Sequence, residues 1–203
     1  MSRVCILDYG SGNVRSVANL FATLAETQVS NDPAAIADAT HLVLPGVGAY
    51  GAAMARIQGS LPMEAVREAV FTQGKPFLGI CVGMQVLSDE GMEFGATAGL
   101  GWIPGRVERL EAPGLPLPHV GWNDIREARP HPLLAGLEGT PDFYFVHSYA
   151  FQAAEPGDVI ATVEYGSRFA AVIGRDNVLG VQFHPEKSQR AGAQLLKNFL
   201  ELA

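Results

Sequence analysis

Residues 75–85 read Lys-Pro-Phe-Leu-Gly-Ile-Cys-Val-Gly-Met-Gln and join a strand pattern to the start of a helix. The apolar run 76–80 is typical of a buried parallel strand, and the residues from Val82 onward indicate a helix. Between them, Cys81 has a glycine two residues away on each side. This is the pattern of a nucleophile on a sharp strand-to-helix turn, where only a residue without a Cβ atom fits beside the neighbouring backbone.

Such a turn holds the Cys81 side chain at the carboxyl end of its strand. The amides that follow it and the helix N-terminus favour a thiolate there and can stabilise an oxyanion. The alternative is that Cys81 is a small core residue, which is the commoner fate of a buried cysteine. The motif therefore indicates a reactive cysteine, and a second motif is needed to support it.

The composition is that of a globular protein, with 48% hydrophobic and 17% charged residues among 203. Fourteen basic and 21 acidic residues give a net charge of −7, without a basic cluster, so we expect no nucleic-acid partner. No apolar run reaches the length of a membrane span, and Asp8 comes too early for a signal peptide. With only two cysteines, of which Cys5 lies in an apolar strand, we expect a cytoplasmic chain without disulfides and without a membrane partner.

The first half of the chain alternates strands and helices. Strands are predicted at residues 3–7, 28–30, 41–44 and 76–80. Asn13 is a candidate N-cap for the first helix, Asp32-Pro33 opens a second, and residues 62–73 form another that stops at Gly74. This alternation predicts an open, mostly parallel sheet with helices on both faces.

From Gly99 onward, short apolar runs are separated by glycine and proline, which favours antiparallel additions to the sheet. These runs lie at residues 106–110, 119–122, 143–149, 159–164, 169–173 and 178–183. Residues 188–202 are predicted to form a closing helix. Since no linker or repeat interrupts the chain, the fold class is α/β, with one domain over residues 1–203.

The second informative motif is His184-Pro185-Glu186, which follows the last strand. A thiol nucleophile needs a base within hydrogen-bond reach, and an imidazole base needs a carboxylate to orient it. Because ligands of open α/β sheets bind at the carboxyl ends of the strands, Cys81 and His184 are expected to meet there. The alternatives are a surface histidine at a strand end and a solvated glutamate.

The Cys81 and His184 motifs resemble those of the class I (triad) glutamine amidotransferases, which have a flavodoxin-like fold. Further motifs resemble, more narrowly, the glutaminase subunits of imidazole glycerol phosphate synthase in histidine biosynthesis. These motifs are Asp8-Tyr9-Gly10-Ser11-Gly12-Asn13, Pro45-Gly46-Val47-Gly48, His119-Val120-Gly121-Trp122-Asn123, Tyr144-Phe145-Val146-His147-Ser148-Tyr149 and His184-Pro185-Glu186-Lys187-Ser188. The likeness extends from about Arg3 to the closing helix.

The resemblance implies that Cys81 attacks the side-chain amide of L-glutamine to form a glutamyl thioester, with His184 as base and acid and Glu186 orienting it. It implies an oxyanion hole from the backbone amides of Val82 and Val47. The substrate-binding residues it implies are Gly46, Gly48, Gln85, Glu93, His147 and Ser148. We expect no cofactor, and no metal site, because no histidine pair has zinc-ligand spacing.

The resemblance also implies a partner, a (βα)8-barrel synthase subunit that forms a heterodimer with the glutaminase and receives its ammonia. Aromatic residues, amides and one lysine in the motifs are candidates for the docking face. They are Tyr9, Asn13, Trp122, Asn123, Tyr144 and Lys187. Because glycines flank Val47, we hypothesise that its amide turns into the oxyanion hole only in the complex, which would leave the lone chain nearly inactive.

Three other interpretations remain open at this point. One is the glutaminase of another class I enzyme, such as that of pyridoxal phosphate synthesis, although the Pro45-Gly46-Val47-Gly48 motif argues against it. Another is a stand-alone cysteine hydrolase on a flavodoxin-like sheet. The third is a catalytically silent scaffold subunit, which the presence of all three triad residue types disfavours.

Overall fold

The computed structural model describes residues 2–137 and 139–202. Within them, the strands are β1 (Arg3–Ile6), β2 (Glu26–Val29), β3 (His41–Gly46), β4 (Phe77–Cys81), β5 (Glu90–Gly91), β6 (Thr97–Ala98), β7 (Gly105–Arg109), β8 (His119–Glu127), β9 (Asp142–His147), β10 (Tyr149–Ala153), β11 (Val159–Tyr165), β12 (Ser167–Arg175) and β13 (Val178–Val181). The helices are α1 (Val14–Ala22), α2 (Pro33–Asp38), α3 (Tyr50–Ser60), α4 (Met63–Arg67), α5 (Val82–Gln85) and α6 (Gln189–Leu200). Short 3-10 turns span Pro132–Leu134, Pro156–Asp158 and Pro185–Lys187.

The main sheet has the strand order β2-β1-β3-β4-β13-β12-β11-β8-β9. Its first five strands are parallel, and the remaining four are added antiparallel at one side. The α1 connection leads from β1 to β2, at one edge of the sheet. The later connections, through α2 and then through α3 and α4, lead in the opposite direction, to β3 and β4. Because such crossovers are right-handed, the connecting helices fall on opposite faces of the sheet. The predicted mostly parallel sheet with antiparallel additions is therefore confirmed.

The core lies between the parallel strands and the helices that cover them. Strands β3, β4 and β13 are buried along their whole length, as expected for parallel strands covered on both faces. Helices α1 and α6 pack on each other through an edge-to-face contact of Phe21 and Phe199, with ring centroids 6.3 Å apart. Among the residues described, no helix is both long and apolar enough to cross a membrane.

A second, smaller sheet has the order β10-β7-β5-β6. Its presence corrects the prediction of one strand over residues 143–149. That run is broken at Ser148, so β9 stays in the main sheet while β10 pairs with β7. The backbone bends at Ser148 because its carbonyl accepts a hydrogen bond from Leu110 N, 2.8 Å away. Residues 146–149 thereby cross from one sheet to the other.

Two helical segments also differ from the prediction. Residues 62–73 form α4 followed by a wider π-helical turn, Glu68–Thr72, and α3 has no counterpart among the predicted helices. Helix α3 begins at Tyr50, whose side chain is fully buried. The segment 88–101 wraps around this ring so tightly that a Cβ atom on Gly91 would lie 2.5 Å from Tyr50 Cγ. A fully buried tyrosine therefore fixes both the helix and the segment beside it.

Candidate active site

Cys81 occupies the turn between β4 and α5. Its backbone has φ 56° and ψ −111°, a conformation that L-residues rarely adopt. A Cβ atom on Gly79 would overlap the backbone carbonyl of Gly83, and a Cβ atom on Gly83 would overlap that of Leu44. The two flanking glycines are therefore required by close backbone packing, as the sequence pattern predicts. The turn holds Cys81 at the carboxyl end of its strand.

His184 follows β13, which lies beside β4 in parallel register, so the two side chains meet at the same edge of the sheet. The imidazole interacts with the Cys81 side chain, and this interaction raises the pKa of His184. Its Nδ1 donates to Oε1 of Glu186 over 2.8 Å, which leaves the other ring nitrogen for the sulfur. The side chains of His184 and Glu186 are only 3% and 1% exposed. The cysteine, imidazole and carboxylate thus lie together, with the His184–Glu186 pair almost fully buried.

Burial lowers the pKa of His184, but its hydrogen bonds with Cys81 and Glu186 outweigh burial and raise that pKa to about 9. Burial acts to raise the pKa of Glu186, and the hydrogen bond from His184, with help from Asn13, lowers it instead. The imidazole therefore carries a proton at neutral pH, next to an ionised carboxylate. A proton held there is available for a leaving group bound at Cys81.

Asn13 supports the carboxylate from behind. Its Nδ2 donates to Glu186 Oε1 over 3.2 Å, and its Oδ1 accepts from Ser11 Oγ over 2.8 Å. Asn13 does precede α1, as predicted for an N-cap, but its side chain makes no capping hydrogen bond. The reason is that its amide is already engaged with Glu186 and Ser11.

Two residues predicted for the docking face lie in the interior. Tyr9 is 3% exposed and Asn13 is 8% exposed. The Tyr9 hydroxyl lies against Gly46, where a Cβ atom would come within 2.5 Å of it. Both side chains pack under the site in this chain, and their assignment to the docking face stays a prediction. The sequence pattern does not distinguish a loop that covers a site from one that faces a partner.

Cys81 and His184 open onto a cleft of about 270 Å³. The residues that line it are Val47, Gly48, Cys81, Val82, Gln85, Glu93, Pro118, Val146, His147, Ser148, Tyr149, His184 and Lys187. Every predicted oxyanion-hole and substrate-binding residue is in this set except Gly46. Gly46 lies beneath the cleft instead, in register with Cys81 and against the backbone nitrogen of Gly83.

The space around the backbone differs sharply between Gly46, at the end of β3, and Gly48, two residues later. Gly46 has no room for a side chain, whereas Gly48 has φ +95° and nothing within 4 Å of a Cβ position. Val47 between them is 40% exposed. A peptide that follows a fixed residue and precedes an unconstrained glycine can reorient at little cost.

Glu93 lines the cleft and is hydrogen-bonded to the start of a helix. Its Oε2 accepts a hydrogen bond from Tyr50 N over 2.8 Å, at the start of α3. A carboxylate at this position also interacts favourably with the helix dipole. Glu93 is therefore a fixed negative charge that lines the cleft, and a freely solvated loop residue is excluded.

Gln85 and Gln182 form a buried amide pair below the cysteine. Gln85 Nε2 donates to Tyr149 O and to Gln182 Oε1, both over 3.0 Å. Gln182 is fully buried, and its Nε2 lies 3.8 Å from Cys81 Sγ. Gln182 is absent from the site residues predicted from the sequence. Gln182 lies just beyond the end of β13, and its local sequence does not mark it as a site residue.

A second polar chain runs from the cleft toward the outer side of β8. His147 Nδ1 donates to Tyr149 O over 2.9 Å, so its Nε2 accepts from His119 Nδ1 over 3.1 Å. His119 Nε2 then accepts from Asn123 Nδ2 over 3.3 Å. Burial lowers the pKa of His147 to about 3 and that of His119 to about 4, so both rings are neutral. Both nitrogens of His147 are thereby engaged within the protein.

Three other docking-face candidates form a cluster at the mouth of the cleft. Trp122 is 48% exposed and contacts Tyr144 edge-to-face, with ring centroids 6.0 Å apart. Lys187 Nζ lies 5.5 Å from the centre of the Tyr144 ring and also lines the cleft. Asn123, the remaining candidate, is half-buried, and its side chain donates to His119 Nε2 and to Glu164 O. The six predicted residues thus divide into a buried pair, this cluster of three, and Asn123.

The described part of the chain contains no group of three or more histidine, cysteine, aspartate or glutamate side chains arranged to hold a metal ion.

An open α/β sheet with a cysteine, a histidine and a glutamate joined at the carboxyl edge defines a cysteine-dependent amidotransferase class. In agreement, the model of the family "Glutamine amidotransferase class-I" matches residues 5–203. The chain belongs to this family.

Curated relatives narrow the comparison. The chain is 48% identical to imidazole glycerol phosphate synthase subunit HisH of Rhodospirillum rubrum and 47% identical to that of Caulobacter vibrioides, each alignment covering 99% of both chains. It is 49% identical to the HisH subunit of Symbiobacterium thermophilum, with 98% of this chain and 93% of the relative covered. These identities place the chain among the HisH-type members of the family.

Solved structures agree at the level of the fold. A glutamine amidotransferase superposes with a TM-score of 0.74 at 22% identity, covering 98% of this chain and 97% of the other. A GMP synthase protein of Thermoplasma acidophilum gives a TM-score of 0.73 at 18% identity, covering 99% of this chain and 93% of the other. Identities this low show a shared fold only.

Proposed function

We propose that this chain, acting as a single domain, hydrolyses L-glutamine to glutamate and ammonia and passes the ammonia to a synthase subunit of histidine biosynthesis. The observation that carries the proposal is the buried Cys81–His184–Glu186 chain at the edge of a cleft. A thiol paired with an oriented imidazole is the arrangement needed for nucleophilic attack on an amide. The similarity to HisH subunits of imidazole glycerol phosphate synthase and the match to the glutamine amidotransferase family support this role in histidine biosynthesis.

In the acylation step, Cys81 Sγ attacks the side-chain carbonyl carbon of glutamine, and a C–S bond forms as the carbonyl oxygen becomes an oxyanion. His184 then donates its proton to the amide nitrogen. The C–N bond breaks, ammonia leaves, and a glutamyl thioester remains on Cys81. Glu186 keeps the imidazole in the orientation that allows this transfer, because it accepts from Nδ1 throughout.

The backbone amides of Val82 and Val47 are the proposed oxyanion hole. Val82 is the first residue of α5, so its amide follows the nucleophile directly and belongs to a helix start. Val47 follows the pinned Gly46 and precedes the unconstrained Gly48. This contrast supports the hypothesis that the Val47 amide is the adjustable donor, while the Val82 amide is fixed.

In the deacylation step, neutral His184 takes a proton from a water molecule, which attacks the thioester carbon. The C–S bond breaks and glutamate leaves. Cys81 is then again a thiolate beside a protonated His184, which is the starting state. The amino and carboxylate groups of the substrate need partners of opposite charge or hydrogen-bonding capacity. We assign Glu93 to the ammonium group and Gln85 and Ser148 to further hydrogen bonds, since all three line the cleft.

In this proposal, His147 contributes to substrate binding by holding the neighbouring backbone in place, and its ring does not bond the substrate. Because both ring nitrogens are engaged by Tyr149 and His119, the imidazole has no donor left for the substrate. Its role in the proposal is to hold the backbone of Val146 in β9 and of Ser148, just after β9, at the side of the cleft.

The proposed partner is a (βα)8-barrel synthase subunit (HisF), forming a heterodimer in which ammonia travels directly to the barrel. There it joins a ribulosyl-carboxamide nucleotide and yields imidazole glycerol phosphate and aminoimidazole carboxamide ribotide. The exposed cluster of Trp122, Tyr144 and Lys187 is the proposed docking surface. Its aromatic and cationic composition suits an interface anchor, and it borders the cleft mouth from which ammonia would leave.

The test is glutamate release from glutamine by the chain alone, then in the presence of the barrel partner with its nucleotide substrate. Activity that is at least about 100-fold higher in the complex, and lost in Cys81→Ala, is the expected result. Equal activity of the lone chain would overturn the coupling through Val47. No activity in either case, with binding of the barrel retained, would mean that the chain is a silent scaffold.

A further inference from the structure

We propose that Gln182 is a positioning residue for the nucleophile, holding the Cys81 sulfur by an amide N–H on the side away from the substrate. This inference rests on the proposed function of Cys81. It assigns to Gln182 a specific task that neither the sequence motif nor the triad includes.

The first argument is burial. Gln182 is 0% exposed, and a buried amide is costly unless its donors and acceptor are engaged. Its Oε1 accepts from Gln85, and its Nε2 faces Cys81 Sγ at 3.8 Å, within reach of a hydrogen bond to sulfur. A hydrophobic residue would fill this space without needing partners. The amide is therefore explained by the atom it faces.

The second argument is direction, because an amide could present either its oxygen or its nitrogen to the sulfur. The orientation is fixed by the backbone carbonyl of Tyr149, which can only accept. This carbonyl receives Nε2 of Gln85, and the same Nε2 donates to Oε1 of Gln182. With its oxygen occupied, Gln182 must turn its NH2 group toward Cys81.

The third argument is chemical. A donor aimed at sulfur stabilises the thiolate relative to the thiol and restricts the rotation of the side chain. The sulfur also lies 3.9 Å from the carbonyl of Val146, which can accept only from a protonated thiol. The amide of Gln182 thus favours the reactive form and offsets the carbonyl. Gln182 thus supplies the sulfur with a donor in addition to the imidazole of His184.

The Tyr149 carbonyl, which orients Gln85 and through it Gln182, also accepts a hydrogen bond from the His147–His119 pair. Tyr149 O accepts from His147 Nδ1 as well as from Gln85. The carbonyl therefore has both of its lone pairs occupied, which fixes its direction and, through Gln85, that of Gln182.

The experiment measures alkylation of Cys81 by iodoacetamide in the whole chain, located by mass spectrometry, in wild type and Gln182→Met. Methionine has nearly the same shape but no donor. The other cysteine, Cys5, is a poor competitor because burial raises its pKa to about 11. Gln152→Met is the matched control, since Gln152 is exposed on β10.

We expect Gln182→Met to slow alkylation about five- to tenfold at pH 7, with Gln152→Met unchanged. In the complex, kcat should fall about tenfold while KM changes less than twofold. An alkylation rate equal to that of wild type would overturn the proposal.

Two further measurements distinguish failure of this inference from misfolding of the variant and from failure of the proposed function. If Gln182→Met does not fold, Gln85→Met replaces it, because losing Gln85 frees the Gln182 amide to turn while leaving its atoms in place. Slower alkylation, about two- to threefold, is then expected, and an unchanged rate counts against the proposal. Alkylation needs no glutamine turnover. If the chain has no glutaminase activity but Gln182→Met still slows the alkylation of Cys81, the proposed function is wrong and the positioning role of Gln182 stands.

Discussion

Substituting Gly83 by alanine tests the contact that joins the nucleophile turn to the oxyanion loop. A Cβ atom on Gly83 would overlap the Leu44 carbonyl, with the carbon of Pro45 3.5 Å away. Both neighbours are backbone of β3, one or two residues before Gly46. A flexible side chain could move aside, but this backbone is held by parallel strands on both sides. The added methyl group must therefore separate α5 from β3.

The size of the effect follows from two opposing contributions. Overpacking in a rigid interior costs about 1–3 kcal/mol, and a backbone-against-backbone overlap belongs at the upper end. Replacing glycine by alanine also restricts the unfolded chain, which offsets about 0.4–1 kcal/mol. We expect the free energy of unfolding to fall by about 2 kcal/mol. Since domains are stable by about 5–15 kcal/mol, the variant should still fold.

The measurement is equilibrium unfolding in urea. With a slope of about 2 kcal/mol per molar, the midpoint should fall by about 1 M at unchanged slope. Gly59→Ala is the matched control. Gly59 is an exposed residue of α3 with nothing within 4 Å of its Cβ position, so alanine there should stabilise by about 0.5–1 kcal/mol. If Gly83→Ala were as stable as wild type, the proposed closeness of α5 and β3 would be refuted.

Three further predictions concern the site and its surface. Glu186→Gln should lower kcat by about 10²–10⁴-fold. Because the pKa of His184 is raised, the substitution should also lower the free energy of unfolding in urea more at pH 6 than at pH 10. Equal losses at the two pH values would contradict the pairing of His184 with Glu186. Asn13→Ala should lower kcat about tenfold and leave the Kd for the barrel unchanged in calorimetric titration, whereas weaker binding would restore Asn13 to the docking face. Trp122→Ala should weaken that Kd by about 30-fold or more, and an unchanged Kd would remove Trp122 from the interface.

Much of the fold could be predicted because its signals are local. Asp32-Pro33 does open α2, and the Asp32 side chain accepts from Ala34 N as an N-cap should. The buried strands β3, β4 and β13 read as uninterrupted apolar runs. Cys81 and His184 could be paired from the sequence, because both follow strands that must end at the same edge of the sheet.

The features that could not be predicted depend on contacts distant in sequence. Asn13 is 173 residues from Glu186, and its pattern fits a helix cap as well as a carboxylate partner. The break at Ser148 depends on β7, since a two-residue alternation continues through it without a turn signal. Gln182 becomes informative only when Cys81, 101 residues earlier, lies next to it. In each case the local pattern permits several environments, and tertiary packing selects one.

The unusual backbone of Cys81 has a consequence for how this chain can change over generations. Holding an L-residue in such a conformation costs about 1–3 kcal/mol, and the surrounding packing must supply it. Cys81→Gly would remove both the thiol and the strain, while Cys81→Ala would remove only the thiol. A population selected for stability alone would therefore drift toward glycine at this position. A cysteine at this position therefore costs the chain a margin of stability, in exchange for the thiol that the proposed chemistry needs.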